Sequence, residues 1–157
     1  MSKNNRMTPE TIPVGLVLSR TARKVSLAFE RALSQKGGSI STWLILLSLM
    51  RGGQRMQSDL AEDVGIRGPT LTHHLNAMER DGLIVRLRDP ANRRVHKVEL
   101  TEKGRAAFDR LRKAAIEHDA RLRAGFTSAE LELLRSLLQR MAANVKAATG
   151  KEGEGRS

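Results

Sequence analysis

The chain has 157 residues, 39% of them hydrophobic, with a formal net charge of +11 and no cysteine. That length suits one domain with a sizeable core, and the lack of cysteine excludes disulfides, thiolate zinc sites and thiol redox sensing. There is no run of 18 apolar residues, and the start MSKNNRMTPETIP has no apolar signal core. Neither a membrane span nor export is therefore expected, and the expected compartment is the cytoplasm.

Residues 1–12 and 149–157 lack periodicity and are expected to be flexible tails. Val14, Leu18, Ala22, Val25, Phe29 and Ala32 recur at steps of three and four, which predicts an amphipathic helix ending at Gly37 and Gly38. STWLILLSLM (41–50) is apolar nearly all round and reads as a buried helix, broken by RGGQR. SDLAEDVGI (58–66) predicts a short helix with Leu60, Ala61 and Val64 inward, ended by Gly65.

GPTLTHHLNAMERDG (68–82) follows, with Gly68 as the expected N-cap and Pro69 at the first helical position. Leu71, Leu75 and Met78 form its inward stripe. At about 100° per residue, the opposite face carries Pro69, His73, Asn76 and Arg80, flanked by Thr70 and Thr72. Two short helices joined by a tight turn containing glycine form a helix-turn-helix.

Past Gly82 the period changes. Ile84 to Arg88 and Val95 to Leu100 are β-branched, partly alternating runs separated by DPANRR, and they predict a two-stranded hairpin. Thr101 then caps a long helix with Phe108, Leu111, Ala115, His118 and Leu122 along one side. Gly125 stops it, and Thr127 with Glu130 makes a capping box for a last helix carrying Leu131, Leu134, Leu138, Met141 and Val145.

The predicted class is mainly α with a small β-hairpin wing (α+β), a winged helix-turn-helix with long terminal helices. Those helices exceed what is needed to cover so small a unit, so their apolar stripes are better used between chains than in a one-chain bundle. The expected organisation is one domain over 1–157. Within it, 13–40 and 102–148 are dimerisation helices and 41–101 is the winged helix-turn-helix DNA-binding region of a homodimer.

Charge distribution narrows the partner. Net charge is +5 over residues 1–40, +2 over 41–100 and +4 over 101–157, so the total does not locate a binding face. Clustering does: Arg86, Arg88, Arg93, Arg94 and Lys97 share one short hairpin with a single acid, Asp89. A helix entering the major groove of double-stranded DNA presents its N-terminal side chains to base edges and its positive end to phosphate. Pro69, Thr70, Thr72, His73 and Asn76 suit that task, Thr through its hydroxyl and methyl and Asn as a bidentate partner of adenine.

Asp89 beside Pro90 starts the hairpin turn, and its carboxylate can fold back onto Arg93 or the local amides. The other arginine of the pair is then free to enter a narrow minor groove. His73 and His74 point about 100° apart and cannot chelate one ion together, so no metal site and no cofactor is expected. His74 reads as a partly buried side chain and His118 as a packed interface residue.

The segments SDLAEDVGIRGPTLTHHLNAMERDGLI and RDPANRRVHKVELTEKG resemble the MarR family of bacterial transcription regulators, over roughly Val14 to Lys146. The second carries the family's wing signature: an Asp, an Arg pair a few residues on, then Leu-Thr and a Gly opening the next helix. GPTLTHHLNAME looks most like the SlyA-type branch, with His73 standing where many members place Arg. The resemblance implies a dimeric winged helix-turn-helix repressor or activator on a pseudo-palindromic operator, often responsive to a small aromatic or phenolic acid as effector. It also implies an effector cleft between head and dimer helices. Trp43 is the best aromatic candidate for its wall, and Arg20, Arg23 or Arg51 for pairing with a carboxylate.

A winged-helix module that binds a protein partner is the competing class, and the basic wing argues against it. Enzyme chemistry is not expected: there is no phosphate-binding glycine loop, no Ser/His/Asp order in a strand-turn-helix setting and no carboxylate pair in a cleft-like segment.

Overall fold

The computed structural model describes residues 12–53, 55–88 and 96–152. In chain order these form α1 (Val14–Ser34), α2 (Ile40–Gly52), β1 (Arg55–Met56), α3 (Gln57–Val64), α4 (Gly68–Arg80), β2 (Ile84–Arg88), β3 (His96–Leu100), α5 (Glu102–Arg123) and α6 (Ser128–Glu152). The mainly helical class with a small antiparallel sheet is the one expected. The chain divides into two compact units, Met1–His118 and Asp119–Ser157, with the boundary inside α5.

The first unit is built around α2. Ser39 caps this helix, its Oγ accepting the Thr42 N–H at 3.1 Å, which satisfies one of the amides a helix start leaves unpaired. Ile45, Leu46 and Leu49 on α2 are buried, together with Leu33 from α1, Leu60 from α3, Leu71 and Leu75 from α4, and Leu111 from α5. Each such side chain contributes about 1.5–3 kcal/mol by leaving water. Ser48, buried on the same helix, donates to the Asp63 carboxylate on α3 and ties the two helices together. On α1, Val14, Val17, Leu18 and Leu27 remain exposed.

The sheet has three strands, not two, in the order β1-β3-β2, all antiparallel. The predicted hairpin is therefore extended by Arg55 and Met56, which pair with Val98 and Lys97. Two residues are too short to show a period, so the added strand had no signal of its own. Val98 faces Arg55 on one side and Arg86 on the other. Side chains alternate across a strand, so Arg55, Arg86 and Val98 share the inner face with Ile84.

Thr101 joins sheet to helix. Its Oγ1 accepts the Gly104 N–H at 3.0 Å and donates to the Gly82 carbonyl at 2.7 Å, while its N–H donates to the Leu83 carbonyl at 3.1 Å. Gly104 is buried against that same Leu83 carbonyl, and a Cβ there would collide with the oxygen. Phe108, Leu111 and His118 follow on the inward side of α5 as expected, joined by Ala107 and Ala114.

In the second unit, Arg123 pairs with Asp119 at 3.0 Å and the capping box forms as predicted. Glu130 accepts the Thr127 N–H at 2.7 Å, and Thr127 Oγ1 accepts the Glu130 N–H at 3.3 Å. Leu133, Leu134, Leu137, Leu138 and Val145 on α6 are exposed. The helix runs to Glu152, past the expected start of the tail at 149. No helix among the described residues is long and apolar enough to cross a membrane.

Candidate nucleic-acid interface

The turn between α3 and α4 depends on Gly65, which caps α3 with φ 65° and ψ 27°. This left-handed conformation is costly for residues with a Cβ and free for glycine. Its N–H and that of Ile66 return to the Glu62 and Ala61 carbonyls, closing the helix end before the chain turns into α4. The N-cap of α4 is Arg67, one residue earlier than predicted, so Gly68 and Pro69 are the first two helical residues. Proline fits either position, because the amides of the first turn have no intrahelical partner.

Leu71, Leu75 and Met78 anchor α4 in the core, and Pro69, Thr70, His73, Asn76 and Arg80 are exposed on the opposite side. No acidic residue lies in the first turn of α4, so the partial positive charge of that helix end is left unneutralised. Thr72 differs from its predicted neighbours. It is half-buried, its hydroxyl donates to the Gly68 carbonyl at 3.0 Å, and it accepts from Gln57 Nε2 at 2.8 Å. His73 and His74 meet edge to face with ring centroids 6.0 Å apart. Among the described residues no cluster of three or more metal-ligating side chains forms.

The wing residues separate into two kinds. Arg86, read from sequence as a residue of the DNA-binding wing, has its guanidinium against Glu79 of α4, with Nη2 at 2.5 Å and Nε at 3.0 Å from Oε2. The Arg86 backbone N–H also donates to Glu79 Oε1 at 3.1 Å. Arg86 therefore braces the wing strand to the recognition helix. Arg55, its counterpart across Val98, lies 3.9 Å from Asp63 of α3. Arg88 is exposed at the end of β2, and Lys97 is half-buried on β3. Asp89, Arg93 and Arg94 lie outside the described residues.

Of the residues proposed for an effector cleft, Trp43 stacks on Phe108 with ring centroids 5.3 Å apart and 5° between planes, packed against the core. Arg20 and Arg23 on α1 and Arg51 on α2 are exposed. His118 is buried, stacked on Phe29 at 5.0 Å, and its Nε2 has no hydrogen-bond partner among the described residues. Gln57 and Glu79 were not singled out from sequence. The only hint for Glu79 was its sign, opposite to Arg86 seven residues on across a glycine turn.

A family model described as the MarR family matches residues 39–96, the segment from the start of α2 to the start of β3. The homoprotocatechuate degradative operon repressor of Escherichia coli is 29% identical over 119 residues, spanning 75% of this chain and 80% of that protein. Among solved structures, the transcriptional repressor CouR bound to a 23-mer DNA duplex is 32% identical with a TM-score of 0.75, over 83% of this chain and 92% of that one. The M. tuberculosis regulator MOSR in complex with DNA is 26% identical with a TM-score of 0.69, over 87% and 98% respectively. These relatives are transcriptional regulators. On sequence and on fold alike, the chain belongs to the MarR family of winged helix-turn-helix transcriptional regulators.

Proposed function

We propose that this chain is a cytoplasmic transcriptional repressor that binds a pseudo-palindromic operator as a homodimer. The exposed first turns of α4, free of acidic residues and carrying Thr70, His73 and Asn76, are the observation that carries this. Each α4 enters a major groove, with half-site centres about 10 base pairs apart. The wings reach the flanking minor grooves through Arg93 or Arg94, with Arg88 and Lys97 near the backbone. The relatives that carry DNA in their solved structures support the same partner.

The second copy covers the apolar residues left exposed on α1 and on α6, in line with dimerisation helices at 13–40 and 102–148. A small aromatic or acidic ligand releases the operator by changing the spacing of the two heads. The E. coli relative named for a homoprotocatechuate degradative operon is consistent with such a ligand. The resemblance of the run GPTLTHHLNAME supports a SlyA-like reading within the family.

Footprinting on duplexes selected in vitro, with the mass of the free protein measured in solution, tests the proposal. Two protected half-sites and a dimer are expected. A single protected half-site with a monomer in solution would refute it.

A further inference from the structure

The hydroxyl of Thr72 is already committed on two sides. Its hydrogen goes to the Gly68 carbonyl, one turn back on α4, at 3.0 Å. A carbonyl can only accept, so the direction of that bond is set. The second bond arrives from Gln57, the first residue of α3, whose Nε2 donates to the same oxygen at 2.8 Å. A hydroxyl offers one hydrogen and two lone pairs. Thr72 is left with one lone pair and no hydrogen, beside the exposed His73 and one turn from the exposed Asn76.

We infer, given the DNA binding proposed above, that Thr72 selects an exocyclic amine in the major groove, N6 of adenine or N4 of cytosine. The Gly68 carbonyl, by taking the hydrogen, keeps that oxygen an acceptor, and Gln57 is the positioning residue that fixes where it points. In the major groove adenine presents its N6 amine donor beside an N7 acceptor and cytosine its N4 amine donor, whereas guanine and thymine present acceptors only, O6 and N7 or O4. An oxygen that only accepts bonds the first pair and is repelled by the second. The result is discrimination of amine against keto bases on one strand, at one position per half-site. Phosphate oxygens are acceptors too, so Thr72 does not anchor the backbone, unlike a threonine whose hydroxyl is free to donate.

Selection from a randomised duplex pool, followed by sequencing of bound molecules, tests this with the full-length protein. The wild type is expected to show about a fivefold preference for A or C over G or T at one half-site position, the discrimination of one hydrogen bond. Thr72→Val keeps the shape and loses the oxygen. It should flatten that position while the rest of the motif persists, which also reports that the variant is folded. Thr72→Ser should keep the preference. Gln57→Ala should narrow it at the same position, because the hydroxyl is then less firmly held, with the salt dependence of binding unchanged. A Thr72→Val protein that selects the wild-type motif overturns the inference. A wild type that enriches no motif overturns the DNA-binding proposal itself.

Discussion

Arg86 and Glu79 form a two-point clamp between the wing and the recognition helix: a backbone amide and a guanidinium from one strand residue both end on a single carboxylate of α4. The arginine side chain is 20% exposed and the glutamate 38%, so solvent screens the pair only in part. The clamp joins β2 to α4, the two elements proposed above to approach DNA, and it engages one cation of the basic hairpin in an internal ion pair.

Arg86→Ala and Arg88→Ala should therefore weaken operator binding in different ways. Loss of Arg86 lowers stability by about 1 kcal/mol, and it lowers affinity without changing the slope of log affinity against log salt. Loss of the exposed Arg88 reduces that slope by about one. Fluorescence anisotropy titrations across a potassium chloride series distinguish them, and equal slope changes in the two variants would put Arg86 back among the phosphate contacts.

Gly104→Ala should destabilise the first unit by about 2 kcal/mol, since the new methyl meets the Leu83 carbonyl and α5 must shift to admit it. That carbonyl also accepts the Thr101 N–H, so the shift loosens the junction between sheet and helix. Urea unfolding followed by circular dichroism measures the loss. A neutral substitution would mean that α5 moves freely against the turn.

His118→Phe is expected to stabilise the protein by about 1 kcal/mol. The histidine stacks on Phe29 with a buried Nε2 that no group among the described residues satisfies, and a phenyl ring keeps the stacking without that nitrogen. Differential scanning calorimetry should show a higher Tm. A lower Tm would mean that the nitrogen has a partner in the assembled protein.

The capping box of α6 gives a pH-dependent contribution. The Thr127 backbone N–H, and then its hydroxyl, hold the Glu130 carboxyl below its ordinary value of 4.5. The folded state thus favours the ionised group. Its contribution is complete above about pH 4.5 and is lost as pH falls through the lowered value. Glu130→Gln should have the lower Tm at pH 7, and the gap to the wild type should close on acidification towards pH 3. A gap that stays constant with pH would rule out the carboxylate as its source.

Much of this architecture was legible in the chain itself. Period 3.6 marked the helices, Gly65 and Gly82 marked the ends of α3 and α4, and Thr127 with Glu130 announced the start of α6. What escaped depends on pairing between distant residues. Arg55–Met56 becomes a strand only because β3 offers it an edge, and no local pattern in two residues can say so. Arg86 looked like the other arginines of the hairpin, since composition does not reveal that a helix carboxylate lies opposite. Thr72 was placed near the outward face by helical angle, but its hydrogen bonds follow from the position of Gln57 on a different helix. The N-cap of α4 was misplaced by one residue because Gly68 carries a capping preference that the backbone at Arg67 made unnecessary.

Because α4 is fastened near its start to Gln57 of α3 and near its end to Arg86 of β2, the base preference proposed for it is not portable as a single helix. Grafting residues 68–80 onto a relative would leave Thr72 without Gln57 and Glu79 without Arg86. The smallest cassette that carries its own supports runs from residue 57 to residue 86, and operator preferences should transfer between homologues in blocks of that extent.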